Sequence, residues 1–398
     1  MTGDSERVPS LKIGLLTYHF SDNYGALFQA YGLREWLRKE GHTAEFVNYH
    51  PRYVEEGGSF DRVYDPRRWK KNLTIGYMKA VHYWSRWFGD RKQQREFDAF
   101  RSEFLGLDGP RRYSAEDLAE DIRELDMLIC GSDQIWNPSI QRGLDPVYFL
   151  SFSAAAGLCR ISYAPSFGKR NLDSAYDEDA KAFLGSLDGI SVRERSGAEI
   201  VSGLAGREAV IAPDPTILLG AFGDLVDQDT RDMAGNHVFC YALRSDVPIR
   251  QVAERVGEVL GAKILSPRTS RQRWRDIGTG VRPGPVDWLR SLVSSRFVVS
   301  NSFHGIVLSI LHHRPFIAVG LPAAKGALNE RALDLLEQVG LLGRFMKTYS
   351  SVRIDALVSE AIDWDEVDSC LARLRGVGER YLKDEISRCM QRIKAVEA

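Results

Sequence analysis

The stretch KIGLLTY at residues 12–18, followed by SDNYGALFQAYGL at residues 21–33, decides how this chain begins to fold. The first part is a mainly apolar run of strand length, and the second opens with turn-forming residues and continues with helical spacing of apolar side chains. Open α/β sheets bind ligands at such strand-to-helix turns. We therefore expect ligand contacts from Asp22, Asn23, Tyr24 and Gly25, although a plain helix cap also explains Asp22 and Asn23.

The same alternation of short apolar runs and helical patterns recurs along the whole chain. After a helix over about 25–39, it predicts strands at residues 43–49, 126–130, 160–164, 189–193 and 209–212. A second series follows the sequence DPT at 214–216, with strands at 237–243, 262–266, 296–300 and 315–320. This order is typical of mainly parallel, doubly wound sheets.

The pattern therefore predicts two α/β domains, at residues 11–216 and 217–350, that face each other across a cleft. Residues 351–398 have the pattern of amphipathic helices, and we expect them to pack near the domain junction. Residues 60–125 interrupt the first series with several tryptophans and a charged stretch. They are either a helical insertion packed on the first domain or an aromatic arm that stacks on sugar rings.

Composition limits the class of protein. The 398 residues suggest two domains, and 53 basic against 54 acidic residues leave no basic field for a dedicated nucleic-acid binder. No apolar run approaches the roughly 18 residues of a membrane span, and residues 1–10 lack a secretory apolar region, so we expect a cytoplasmic protein. The five cysteines show neither a zinc nor a disulfide pattern, and all five are predicted to be reduced.

Hydrogen-bonding side chains follow the predicted strand at 126–130 in the sequence GSDQIWNP. This composition suits a polyhydroxylated ligand, although turn chemistry alone would also need residues 131–133. We assign acceptor binding to Ser132, Gln134, Trp136 and Asn137, and a catalytic role to Asp133.

Two residues with suitable chemistry for catalysis lie at later strand ends. Arg193 leaves a strand where a guanidinium can bind a carboxylate or phosphate, unless it forms only an internal ion pair. His304 lies at a strand-to-helix junction in NSFHG, with Asn301, Ser302 and Gly305 beside it. A lone histidine is more often structural than catalytic, but this position suits proton transfer.

Residues 267–275 form an arginine-rich loop that includes Arg268. The loop is either a phosphate clamp or a solvated basic loop. The sequence contains no Walker A motif, no GxGxxG after the first strand, no HExxH and no GxSxG.

Six motifs in this order together resemble the polysaccharide pyruvyl transferase family. They are TYHFSDNYGALFQAY at 17–31, CGSDQIWNP at 130–138, SYAPSFG at 162–168, SVRERSG at 191–197, PDPT at 213–216 and NSFHG at 301–305. The resemblance implies a fold similar to the two-domain GT-B glycosyltransferases. It also implies transfer of a pyruvyl group from phosphoenolpyruvate (PEP) to two hydroxyls of one sugar, with release of phosphate.

By position, the resemblance makes His304 the family's histidine and Arg193 an arginine of the anionic donor site. Many members have an arginine where this chain has Ser302, so Arg268 or Arg331 must supply that charge. No cofactor or metal is implied beyond PEP as co-substrate. The expected partners are PEP and a sugar or lipid-linked glycan, with peripheral membrane contact through such an acceptor and a homodimer as further expectations.

Two rival functions stay open at the level of sequence. A GT-B-like glycosyltransferase that uses a nucleotide sugar would also need a phosphate-binding arginine and a histidine in the cleft. A non-catalytic glycan-binding protein would need neither PEP nor turnover. Release of phosphate from PEP, release of UDP, and glycan binding without turnover distinguish the three functions.

Overall fold

Parallel strands form the first sheet of the protein. The computed structural model describes residues 10–51, 53, 69, 73, 76, 90–227, 230, 235–243, 246–268, 277–321 and 326–397. The strands are β1 (Lys12–Leu16), β2 (Thr43–Phe46), β3 (Met127–Cys130) and β4 (Cys159–Ser162), in the order β2-β1-β3-β4. The short pair β5 (Ser191–Val192) and β6 (Val210–Ile211) continues beyond β4 through a bridge between Ile161 and Gly189. All of these strands are parallel, so their carboxyl ends point to the same edge.

Helices connect these strands, as the sequence pattern predicts. They are α1 (Tyr24–Lys39), α2 (Arg91–Leu105), α3 (Pro138–Gln141), α4 (Asp177–Gly185), α5 (Arg195–Ala205) and α6 (Pro215–Leu219). Asn23 begins α1, because its side-chain oxygen accepts hydrogen bonds from the amides of Gly25 and Ala26. In the predicted insertion at 60–125, the residues before Asp90 lie outside the described residues except for 69, 73 and 76, and α2 forms a helix in the part that follows.

A second parallel sheet follows in the C-terminal half. Its strands are β7 (His237–Tyr241), β8 (Lys263–Pro267), β9 (Thr279–Val281), β10 (Phe297–Ser300), β11 (Phe316–Val319) and β12 (Phe345–Met346). The order is β12-β11-β10-β7-β8-β9. The four strands predicted after residue 216 are confirmed. The sequence pattern missed β9 and β12, which have three and two residues and give no periodic signal.

The helices of this half complete the α/β layers. They are α7 (Val247–Leu260), α8 (Pro285–Val293), α9 (Phe303–Leu311), α10 (Gly326–Gln338), α11 (Ser351–Ser359) and α12 (Trp364–Glu397). The last helix has 34 residues and contacts both halves. Cys370 belongs to the core cluster that contains Trp288, whereas Leu382 packs with Ile13 of the first sheet.

Cys159 of β4 and Cys389 of α12 form a disulfide with their Cα atoms 5.8 Å apart. The prediction of five reduced cysteines is therefore wrong for this pair, whereas Cys130, Cys240 and Cys370 are free and buried. The paired residues are 230 positions apart, and only the packing of the last helix on the first sheet brings them together. No local spacing in the sequence could have indicated this pairing.

One hydrophobic cluster joins the two halves. Tyr24 of α1 is fully buried and stacks on Trp288 of α8, with 5.1 Å between ring centroids. Its hydroxyl donates a hydrogen bond to the Pro283 carbonyl at 2.8 Å and accepts one from Gln93 of α2. Gln93 also donates to the Arg268 carbonyl at 2.6 Å. Helices of the first half are thus bound to backbone of the second half through buried hydrogen bonds.

Tyr24→Phe tests how far this contact stabilises the junction. The variant keeps the ring stacking and removes the hydroxyl that bonds to Pro283 and Gln93, so we expect the free energy of unfolding to fall by about 1–2 kcal/mol. Urea denaturation measures this change, and Tyr349→Phe, at an exposed tyrosine, is the control. A Tyr24→Phe variant as stable as the unmodified protein would show that these bonds contribute nothing.

Candidate active site

Three residues from distant parts of the sequence meet at the junction of the two halves. Asp214 Oδ2 lies 2.9 Å from Arg193 Nη1 and 3.5 Å from His304 Nε2. Arg193 follows β5, Asp214 begins α6 and His304 lies in the first turn of α9. All three are buried, with relative exposures of 8%, 1% and 8%. A buried carboxylate therefore contacts both a guanidinium and an imidazole.

The Asp214 side chain is fixed by its role as a helix cap. Its Oδ1 atom accepts hydrogen bonds from the Thr216 amide at 3.0 Å and from the Thr216 hydroxyl at 2.8 Å. Burial alone would raise the pKa of Asp214, but the charges of His304 and Arg193 outweigh it and hold this pKa below its usual range. Asp214 therefore stays ionised at neutral pH.

A second arginine reaches the same place from α10. The guanidinium carbons of Arg193 and Arg331 lie 5.0 and 5.7 Å from the ring centroid of Phe303. Burial, and after it the nearby charge of Arg193, together lower the pKa of Arg331 to about 10. Burial also opposes the charge on Arg193, but Asp214 and Glu194 outweigh it and raise that pKa above its usual value. The two cations thus share one aromatic ring and repel each other.

A cavity adjoins these two guanidiniums. Arg193, Glu194, Asp214, Phe303 and Arg331 contribute to its lining. Among the described residues, Nε and Nη2 of Arg193 and Nε of Arg331 are buried without a hydrogen-bond partner. Buried donors of this kind are costly unless a ligand or water accepts from them. The guanidinium donors are therefore where this cavity can bind an anion, beside the carboxylates of Glu194 and Asp214.

Asp133 lies on the N-terminal side of the cluster. It has a left-handed backbone conformation, with φ of 63°, which a non-glycine residue adopts at a cost of about 1–2 kcal/mol. Its carboxylate is near enough to affect the pKa values of both Arg193 and Arg331. Such local strain concentrates at functional sites, because the surrounding structure must hold it in place.

Gly25 brings α1 directly against the imidazole. A Cβ atom at Gly25 would overlap Nδ1, Cγ and Cε1 of His304. The imidazole of His304 therefore contacts Asp214 on its Nε2 side and Gly25 on its Nδ1 side. Glycine is required here by close approach, as the sequence indicates, but the partner is a side chain of the other half.

Gly25→Ala should displace the imidazole of His304 while leaving α1 intact, because alanine favours a helix but its methyl group overlaps the ring. We expect a changed histidine signal in the NMR spectrum and loss of most turnover. The control is Gly203→Ala in α5, where an added Cβ meets nothing within 4 Å. An unchanged His304 signal in Gly25→Ala would contradict the contact.

A comparison with protein families decides which group of proteins this site belongs to. The family model described as polysaccharide pyruvyl transferase matches residues 23–321. The chain belongs to this family. The match includes Asp133, Arg193, Asp214 and His304 and ends before Arg331. A comparison with curated proteins finds no significant match.

Solved structures resemble this pyruvyl transferase family member only in fold. The UDP-N-acetylglucosamine 2-epimerase of Rickettsia bellii aligns over 96% of this chain and 98% of its own, with 12% identity and a TM-score of 0.51. UGT89C1 of Arabidopsis thaliana, solved with UDP, aligns over 96% and 100%, with 10% identity and a TM-score of 0.48. The fold is α/β, with two Rossmann-like halves in a GT-B-like arrangement. None of the described helices is both long and apolar enough to cross a membrane.

Three residues assigned to the acceptor in this family member have structural roles instead. Tyr24 is buried in the junction core, as described above. Trp136 is fully buried, stacks on Phe149 and donates to the Tyr148 carbonyl. Ser132 is also fully buried, and its hydroxyl donates to the Ala164 carbonyl. The assignment is wrong for these three, because none of their side chains is accessible to a sugar.

Of the other acceptor assignments, Asp22, Asn23 and Gln134 are at least partly exposed, and Asn137 is buried. Asn23 is exposed and caps α1, while Asp22 Oδ1 accepts from Arg101 at 2.5 Å. Gln134 accepts from Asn137 at 2.7 Å, and Asn137 also caps α3. Hydrogen bonds within turns and helix caps thus explain part of what each of these side chains does. Acceptor binding by these residues stays a prediction.

Three residues assigned to donor binding, Asn301, Ser302 and Gly305, are not part of the cavity lining described above. Asn301 accepts from the Leu243 amide at 2.7 Å, and Ser302 caps α9 through the Gly305 amide. A Cβ at Gly305 would overlap the Ser300 hydroxyl, so this glycine serves helix packing.

The two candidate arginines differ in their position. Arg268 has its guanidinium against Gly280 of β9, whereas Arg331 lines the cavity with Arg193. The rest of the loop, at 269–276, lies outside the described residues. Sequence reasoning did not assign a role in the site to Asp214, Glu194 or Phe303. The motif PDPT contained the signal for Asp214, since Asp before Pro at a helix start marks a cap but not its tertiary partners.

Proposed function

We propose that this protein transfers the pyruvyl group of PEP to two hydroxyls of one sugar, forming a cyclic ketal and releasing phosphate. The observation that carries the proposal is the buried Arg193 and the half-buried Arg331, whose unpartnered donors face one cavity that Asp214, the neighbour of His304, also lines. Family membership supports a transferase of polysaccharide pyruvylation. PEP, with a carboxylate and a phosphate, is an anion that two guanidiniums can hold.

The electrostatics favour an anion between the two arginines. Arg193 is already paired with Asp214 and Glu194, whereas Arg331 has no ion pair among the described residues and a lowered pKa. A bound anion would relieve their mutual repulsion and accept from Nε and Nη2 of Arg193 and from Nε of Arg331. In a buried setting such charge-assisted bonds are stronger than in water.

His304 would act as the general acid. Its proton goes to C3 of PEP, which becomes a methyl group, and a sugar hydroxyl oxygen bonds to C2 and loses its proton. The C2–O bond to phosphate then breaks, and a second hydroxyl of the same sugar bonds to C2 and loses its proton. One of these two protons restores His304, and the other leaves with the phosphate.

The acceptor would bind on the N-terminal side of the junction. Asp133 is a half-buried carboxylate on that side whose charge affects both arginines, so it is our candidate for the base that takes a hydroxyl proton. Asn23 and Gln134 offer polar groups on neighbouring loops. These assignments place the donor between Arg193 of the first half and Arg331 of the second, with the acceptor on the side of the first half.

The test measures phosphate release from PEP with a panel of purified and lipid-linked glycans as acceptors. We expect acceptor-dependent release of phosphate together with an acid-labile ketal on the glycan. UDP release from a nucleotide sugar with no phosphate release from PEP would replace the proposal with a glycosyltransferase. Glycan binding without any turnover would instead favour a binding protein.

A further inference from the structure

The reaction steps proposed above assign no role to Asp214. Its Oδ1 atom is saturated by two hydrogen bonds from Thr216. Its Oδ2 atom is directed at both Arg193 Nη1 and His304 Nε2, at 2.9 and 3.5 Å. One oxygen atom of a fully buried carboxylate thus faces the residue that would bind the donor and the residue that would protonate it.

The surroundings of His304 define which nitrogen carries a proton. Among the described residues, Nε2 is buried without a hydrogen-bond partner, and Asp214 Oδ2 is the acceptor next to it. The distance of 3.5 Å is longer than a formed hydrogen bond, as is common in sites without substrate. The Nδ1 side faces Gly25 of α1, which carries no charge. The nearby charged groups are Asp214, Arg193 and, from α10, Arg331.

We infer that Asp214 is a positioning residue that holds His304 with Nε2 protonated, leaves Nδ1 to exchange the proton with substrate, and orients Arg193 in the same contact. The inference rests on the proposed function for the identity of the reaction. The tautomer itself is a property of the free protein. Asp214 does not touch the substrate in this arrangement.

The geometry explains why a carboxylate is needed at this position. An ionised carboxylate only accepts hydrogen bonds, so it fits a protonated Nε2 and a guanidinium at once. An asparagine amide could turn its NH₂ group toward Nε2, which would favour the opposite tautomer. Because the same oxygen contacts Arg193, loss of the charge should alter donor binding as well as proton transfer.

The kinetic expectation distinguishes Asp214 from its two partners. Asp214→Asn should lower kcat by roughly 10²–10⁴-fold, as expected for a wrong tautomer and lost proton transfer, and should also raise the KM for PEP. His304→Gln should lower kcat alone. A double variant should therefore lose less activity than the product of the two single losses, because both act through one group.

The decisive experiment is ¹⁵N NMR of the full protein labelled at histidine, without substrate. His304→Gln assigns the His304 signals among the eight histidines. At a pH where the ring is neutral, we expect a protonated Nε2 and an unprotonated Nδ1, and Asp214→Asn should remove this preference. Asp145→Asn is the matched control, since Asp145 is a buried carboxylate that accepts from Val147 and Tyr49 instead.

Asp214→Asn also alters the cap of α6, so Thr216→Val provides a milder variant. It removes only the hydroxyl that holds Oδ1, and we expect it to broaden or shift the same His304 signals. A protonated Nδ1 in the unmodified protein, or His304 signals that no Asp214 variant changes, would overturn the inference. That result is separate from the proposed function, which fails only if PEP yields no phosphate.

Discussion

His304→Gln is expected to fold normally, bind PEP and lose turnover by roughly 10²–10⁴-fold, about 3–5 kcal/mol of transition-state stabilisation. Glutamine approximates the size of imidazole but cannot donate a proton to carbon near neutral pH. The variant leaves Asp214 with its bonds to Arg193 and Thr216, so no buried charge loses all its partners. Phosphate release from PEP with acceptor, measured beside thermal unfolding, gives the result.

A purely structural histidine would give the opposite pair of measurements. Since His304 is 8% exposed and packed against Gly25, loss of a packing role would lower the melting temperature. The folded fraction would then keep near-normal turnover. A destabilised variant with normal phosphate release would therefore remove His304 from the chemistry.

Arg193→Lys is expected to weaken PEP binding by roughly 10- to 100-fold, as expected from the loss of one or two hydrogen bonds to a charged group. Lysine keeps a positive charge near Asp214 and Glu194 but cannot offer the two further donors, Nε and Nη2, that lack a hydrogen-bond partner at the cavity. Isothermal calorimetry with PEP measures the change, and inorganic phosphate serves as a second anionic probe.

Arg195→Lys is the matched control for this measurement. Arg195 lies two residues further on, at the exposed start of α5, and should bind PEP as the unmodified protein does. Equal PEP affinity in Arg193→Lys and Arg195→Lys would make Arg193 an internal ion-pair partner of Asp214 and nothing more. An internal ion pair as the sole role of Arg193 was already an alternative at the level of sequence.

The strand-and-helix order of this protein was predictable because its strands are buried and continuous. The run at 12–18 became β1 and the helix predicted over about 25–39 became α1, since apolar periodicity follows directly from burial. The disulfide between Cys159 and Cys389 was not predictable, because it depends on where α12 packs against the first sheet. The sequence around either cysteine contains no local pattern that predicts this contact.

The candidate site was predictable residue by residue but not as a set of contacts. Strand ends directed attention to Arg193 and His304, which the structure brings to one carboxylate. The same reasoning chose Tyr24 and Trp136, whose side chains are buried in the core. An aromatic side chain at a strand end can face either the core or the cleft, and the sequence does not distinguish the two. Asp214 needed three-dimensional packing to be found, and packing was also needed to distinguish Arg331 from Arg268.

Mass spectrometry of the glycan product tests the central proposal most directly. The protein is incubated with PEP and an acceptor glycan, and the glycan is analysed beside a reaction that contains His304→Gln. The account predicts that the glycan gains the mass of pyruvate minus one water, that one phosphate is released for each glycan modified, and that mild acid removes the added group. A glycan that gains a sugar from a nucleotide sugar, and gains nothing from PEP, would contradict it.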